Sequence, residues 1–220
     1  EFFDSSKPIE GITSIWGDFG VGKTTLALQI ALNSAKVGKI VFIYSKPNFP
    51  YEKVRKILNS NPSHILNNIT FISALNFADL STSVLNLELL NLTFLKEIKT
   101  CINLIVIDSI TDLYRLKLNR DKKEKNVRLN YQLNQILANL SYINESYGTE
   151  ILIVNEISRK NYEDFAIEIQ SGGKVMDYWV SGSIKISRTN KLNVRNLKIM
   201  KPSVKKILKV SSLLSENGFG

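Results

Sequence analysis

The chain has 220 residues, 44% of them apolar and 22% charged, and a formal charge of +9 at pH 7. This balance excludes a wholly disordered chain and suits one domain with a sizeable core. No apolar run approaches the ~20 residues of a membrane-spanning helix, no signal-peptide layout opens the sequence, and a lone Cys101 with a lone His64 leaves no intramolecular disulfide and argues against zinc.

In chain order, residues 12–16 read as a strand, and Gly17-Asp18-Phe19-Gly20-Val21-Gly22-Lys23-Thr24-Thr25 leads from it into a helical pattern reaching about residue 36. Gly17 and Gly22 bracket four residues ahead of Lys23-Thr24, which is the P-loop spacing. Glycines let successive backbone N–H groups point into one hollow, and the helix N-terminus behind adds positive potential. Lys23 is expected to reach the β- and γ-phosphates, Thr24 to ligate Mg²⁺ and Thr25 to sit near the α-phosphate. The bland alternative is a glycine-rich turn that holds nothing; the flanking strand and helix weigh against it. ATP with Mg²⁺ is the expected ligand.

Residues 39–45 form a near-continuous apolar run, as in a buried parallel strand. Residues 51–58 read as a short helix, 68–72 as a third strand, and 77–100 as a leucine-rich segment helical in its second half. Residues 104–109 give a fourth strand in which four apolar residues precede Asp108, the pattern of a Walker B carboxylate that holds Mg²⁺ opposite the Thr24 hydroxyl. Between 127 and 147, Leu129, Leu133, Ile136, Leu137, Leu140 and Ile143 form a helical stripe, which Gly148 closes. Residues 150–154 are a fifth strand ending at Asn155-Glu156; a polar loop follows, then strands at 182–188, 195–201 and 204–210 with short, antiparallel connections. The expected fold is a mainly parallel α/β sheet flanked by helices, with antiparallel C-terminal strands, in one domain over 1–220.

Charge is unevenly placed. Lys185, Arg188, Lys191, Arg195, Lys198, Lys201, Lys205, Lys206 and Lys209 lie between residues 184 and 215 without one Asp or Glu. Arg115, Lys117, Arg120, Lys122, Lys123, Lys125 and Arg128 form a second cluster, diluted by Asp121 and Glu124. A charge run is ordinarily a solvated face; beside a phosphate-binding loop, nucleic acid is the competing explanation.

With both phosphate-site motifs placed, the chain resembles the RecA/RadA recombinase superfamily, specifically its short archaeal paralogues of the RadB kind. The likeness rests on residues 14–24, on 104–109 with Leu113-Tyr114-Arg115, on Ile153-Val154-Asn155-Glu156, and on Gly172-Gly173-Lys174-Val175-Met176 followed by 182–188. It implies a RecA-like P-loop core without the N-terminal helical DNA-binding domain of full recombinases, a cytoplasmic, nucleoid-associated location, and a role assisting a RadA-type recombinase or another paralogue in recombinational repair. It also implies DNA-binding loops near 116–128 and 158–173. Single-stranded DNA contacts would then fall to Arg115, Lys117, Arg120, Lys122, Lys123, Lys125, Arg128, Arg159 and Lys160, with Tyr162 or Phe165 stacking on bases or anchoring the loop. Phe2-Phe3 reads as packing for the first strand or as a mimic of the family's inter-subunit anchor.

Two departures bear on chemistry. Lys46 stands where the resemblance implies a glutamate that activates water, and Glu156 where it implies a γ-phosphate-sensing glutamine. Lys46 either holds the γ-phosphate or points to solvent. Glu156 either pairs with Lys46 or supplies a displaced general base. ATP binding with weak hydrolysis is expected; a pseudo-ATPase acting through a protein partner without DNA is the alternative. A small-molecule kinase is a weaker third, since no lid-like insertion is visible.

Overall fold

A computed structural model describes residues 11–58, 63–119, 121–161, 166–201 and 206–220. Phe2-Phe3, Arg120, Tyr162, Phe165 and Lys205 lie outside the described residues, as do the side chains of Lys160, Lys201 and Lys206.

The sheet is built around β1 (Ile12–Gly17), which pairs in parallel with β5 (Glu150–Asn161) on one side and β7 (Val180–Arg188) on the other. Beyond β5 come β4 (Ile102–Asp108), β2 (Lys39–Tyr44) and β3 (Ile69–Ser73), all parallel. Beyond β7 come β8 (Val194–Lys201), β9 (Lys206–Ser215) and the short β10 (Gly218–Phe219), all antiparallel. The fold is thus a mainly parallel α/β sheet with an antiparallel C-terminal flank.

Strand periodicity explains the two cores. Along β4, Ile105 and Ile107 join one cluster and Leu104 and Val106 the other, because successive side chains point to opposite faces. One face is covered by α1 (Lys23–Ser34), α2 (Tyr51–Leu58) and α3 (Ser63–Leu66), through Ala27, Leu28, Val54 and Ile65. The other is covered by α4 (Phe77–Leu85), α5 (Leu87–Ile98), α6 (Asp112–Lys117), α7 (Lys123–Tyr147) and α8 (Gly173–Trp179). The α7 stripe from Leu129 to Ile143 is buried along its whole length. Each such side chain contributes about 1.5–3 kcal/mol.

Several elements depart from the sequence expectation. Residues 77–100 are helical in both halves. Asn76 starts α4 by accepting hydrogen bonds from the Ala78 and Asp79 amides at 2.9 and 3.0 Å, and the helices divide at Asn86. The expected polar loop after 154 is instead β5 running on to Asn161, paired antiparallel with β6 (Ala166–Gln170). Helix α7 begins at Lys123 rather than Val127, so most of the basic segment is helical. Among the described residues no helix is long and apolar enough to cross a membrane.

Candidate functional site

The turn after β1 has positive φ at Gly17 (149°), Gly20 (73°) and Gly22 (106°), a region other residues enter only with strain. At Gly17 a Cβ would also run into the Ile186 carbonyl of β7. The turn therefore lies close over the sheet and drives Lys23, the first residue of α1, inward. Lys23 is 5% exposed. Its ammonium donates to the Gly17 and Asp18 carbonyls at 2.9 and 2.8 Å and to Glu156 Oε2 at 2.8 Å. The topology makes that last contact possible, because β5 lies between β1 and β4 and pairs Glu156 directly with Gly17.

One residue on, the Thr24 hydroxyl donates to Asp108 Oδ2 at 2.6 Å. Asp108 ends β4 and is fully buried; the peptide bond that follows it is cis. Thr25 is buried, and its hydroxyl accepts from Lys53 Nζ of α2 at 3.0 Å. Val21 is packed in the core while Phe19 projects into solvent. Asp18 pairs with Arg159 at 2.8 Å.

Lys46, two residues past β2, turns into this cluster. Its ammonium lies 3.0 Å from Asp108 Oδ1, 3.8 Å from Asp112 Oδ2 and 3.9 Å from Glu156 Oε1. The Asp108 contact is an ion pair that falls short of an aligned hydrogen bond. Burial opposes the charge most strongly, but Asp108, then Asp112 and Glu156, outweigh it and hold the Lys46 pKa above the ordinary lysine value. Glu156 is therefore bound first to Lys23, and its approach to Lys46 is the looser one.

Beside this cluster lies a cleft of about 880 Å³, floored by the turn and Thr24 and walled by Lys46, Pro50, Lys53, Lys56, Glu156 and residues 214–216. Sequence reading passed over Lys53, Lys56, Asp112 and the C-terminal wall. The two lysines on α2 carry a weak signal, three residues apart in the helix that follows β2. Leu214 and Phe219, which cover Gly22, carry none, because only tertiary folding brings them there. The Thr24 hydroxyl and the Asp108 carboxylate are hard oxygen donors of the kind Mg²⁺ takes, and Mg²⁺ commonly relies on one or two protein oxygens plus phosphates.

The family model described as Rad51 matches residues 7–214. The chain belongs to the Rad51 family. It is a RadB-like member of the RecA/RadA superfamily. It is 30% identical to the DNA repair and recombination protein RadB of Methanocaldococcus jannaschii, over 81% of this chain and 79% of that protein. The RadB of Methanococcus maripaludis strain C7 is 32% identical over 86% of this chain and 81% of that protein. The DNA repair and recombination protein RadA of Ignicoccus hospitalis is 28% identical over 82% of this chain and 58% of that protein.

Elsewhere on this Rad51-family chain, the first basic segment divides between two helices. Arg115 and Lys117 sit on α6, Lys122 in the connection, and Lys123, Lys125 and Arg128 on the first turns of α7; all six are exposed. Of the segment expected as a loop over 116–128, residues 116–117 and 123–128 are therefore helical. In the β5–β6 ribbon, Arg159 is held by Asp18 at 2.8 Å and Glu168 at 3.2 Å, and Glu168 takes Lys185 at 2.7 Å. Lys185, Lys198 and Lys209 stand opposite one another across β7, β8 and β9.

Proposed function

We propose that this chain binds ATP with Mg²⁺ in the cleft over Gly17–Thr25, hydrolyses it slowly, binds single-stranded DNA, and assists a RadA-type recombinase in recombinational repair. The observation that carries the reading is the convergence of Lys23, Thr24 and Lys46 on one cleft under a glycine-shaped turn, with Asp108 buried behind Thr24 and Lys46. Similarity to the RadB and RadA proteins supports the repair role.

In this reading Lys23 exchanges its bond to Glu156 for phosphate oxygens, and where no Mg²⁺ stands at Asp108 the Lys46 ammonium supplies positive charge to the same phosphates. Thr24 and Asp108 are the residues that would hold Mg²⁺. Held there, the ion would supply neutralising charge for the phosphates. An ammonium beside Asp108 takes no proton from water, and Glu156, tied to Lys23, is the remaining carboxylate on β5 facing the cleft. Loss of a positioned base costs about 10²–10⁴ in rate, so slow turnover follows.

The deciding experiment compares ATP binding and hydrolysis in the wild type, Lys46→Glu and Glu156→Gln. The reading expects clear binding, slow wild-type turnover and a gain in Lys46→Glu. Brisk wild-type hydrolysis untouched by Glu156→Gln overturns it. One observation favours a partner-binding protein without DNA contact: Arg159 and Lys185 are already neutralised by Asp18 and Glu168. ATP binding retained with no DNA binding at low salt would select that reading.

A further inference from the structure

We infer that the Lys46 ammonium serves as a built-in cation beside Asp108, letting the cleft hold a nucleoside triphosphate with little need for a divalent metal. The inference rests on the nucleotide-binding reading above and concerns how that same site meets the phosphate charge.

Asp108 is fully buried, and both of its oxygens are engaged by the chain itself. Thr24 donates to Oδ2 at 2.6 Å, and the Lys46 ammonium lies 3.0 Å from Oδ1. A buried carboxylate needs a compensating charge, and here the compensation is tethered. Lys46 also stands within 3.9 Å of Asp112 and Glu156, so one ammonium answers three carboxylates. Lys23, the buried ammonium of the cleft, bonds Glu156 and two loop carbonyls instead.

Mg²⁺ demands near-octahedral oxygen ligands and keeps several waters. Water at Asp108 Oδ1 and the Lys46 ammonium at 3.0 Å from that atom compete for one place. Two cations crowded on a single buried carboxylate repel each other strongly in a low-dielectric setting. Metal and Lys46 are therefore alternatives at Asp108. Lys46 is 26% exposed and lines the cleft with Lys23 and Thr24, so its charge faces the space a triphosphate would enter. It supplies from within the chain part of what the metal would bring, without an ion's loss of freedom on binding.

The test is isothermal titration calorimetry of the full chain with ATP, in excess Mg²⁺ and in excess EDTA, for wild type, Lys46→Ala and Lys46→Arg. Wild-type affinity should change by less than about threefold between the two conditions, and Lys46→Ala should lose at least about tenfold in EDTA and recover in Mg²⁺. Lys46→Arg, which keeps the charge, should behave like the wild type. Mn²⁺ titrations followed by electron paramagnetic resonance, without nucleotide, should show an ion held by Lys46→Ala and not by wild type. A wild-type loss of tenfold or more in EDTA overturns the inference while leaving ATP binding intact. Absence of ATP binding in both conditions overturns the nucleotide reading and this inference together. If Lys46→Ala fails to fold, the wild-type comparison alone still decides.

Discussion

Glu156 Oε2 accepts a hydrogen bond from Lys23 Nζ at 2.8 Å, so the phosphate-loop lysine is held by a carboxylate of the neighbouring strand. A triphosphate entering the cleft must break that bond and approach the carboxylate's negative charge. Glu156→Gln keeps the size and an acceptor but removes the charge. It is expected to tighten ATP binding by about three- to tenfold, the equivalent of roughly 1 kcal/mol. The nucleotide-free variant should melt earlier, since breaking a buried pair costs up to about 3–5 kcal/mol. The two carbonyl acceptors left to Lys23 moderate that loss. Calorimetric titration and thermal melts measure both effects. Unchanged or weaker ATP affinity would show that Glu156 does not compete with nucleotide.

Lys122, Lys123 and Lys125 sit around the N-terminus of α7, where the helix dipole disfavours positive charge. Their exposure leaves no packing role to explain them. Changing all three to Ala should leave the melting temperature equal or slightly higher and weaken single-stranded DNA binding. On a plot of log K against log salt, the slope should fall by about 2, at roughly 0.7 for each phosphate no longer neutralised. Fluorescence anisotropy across a salt series reads both quantities. An unchanged slope would remove these residues from any DNA surface.

Glu168 joins the β5–β6 ribbon to the main sheet through Lys185 of β7 at 2.7 Å and pairs within the ribbon with Arg159 at 3.2 Å. The Lys185 hydrogen bond, opposed by burial and aided by the charges of Lys185 and Arg159, lowers the Glu168 pKa below the ordinary glutamate value. A depressed carboxyl contributes stability that is present above its unfolded pKa, about 4.3, and lost as pH falls through the folded value. Hydrogen exchange of the ribbon amides should therefore accelerate below about pH 4.3 relative to the core strands. Glu168→Gln should show the faster exchange already at neutral pH and lose that pH step. Equal pH profiles in the two proteins would assign the ribbon's order to its backbone pairing alone.

The parallel strands and the α7 stripe were legible because burial on both faces writes itself as short apolar runs, and burial on one face as a 3.6-residue period. The turn after β1 was legible because glycine spacing encodes backbone conformation locally. Other features have no local signature. The β5–β6 ribbon read as a loop because residues 158–161 are polar; its pairing comes from register with 166–170. Lys46 carried an unusual residue type at a suggestive position, but its three carboxylate neighbours come from β4, α6 and β5. Sequence marked the position, and only the packing of those elements decided that the side chain turns inward.

The C-terminal wall of the cleft depends on one such non-local contact. Gln29 of α1 donates from Nε2 to the Phe219 carbonyl at 2.9 Å and accepts from the Phe219 amide at 2.8 Å. The Phe219 ring and Leu214 lie over Gly22, and at Gly218 a Cβ would press on the Gln29 carboxamide. This reciprocal pair ties β10 to α1, whose first residues line the cleft. Gln29→Ala removes both bonds, which costs about 1–2 kcal/mol at typical net values. The Phe219 amide should exchange at least about tenfold faster, with core strands unaffected, and the freed wall should weaken nucleotide binding more than it lowers the melting temperature. Phe219→Ala separates the two contributions, because it keeps the backbone bonds and removes the ring over Gly22. If Gln29→Ala leaves exchange at 219 unchanged while Phe219→Ala accelerates it, apolar packing rather than the polar clamp holds the wall in place.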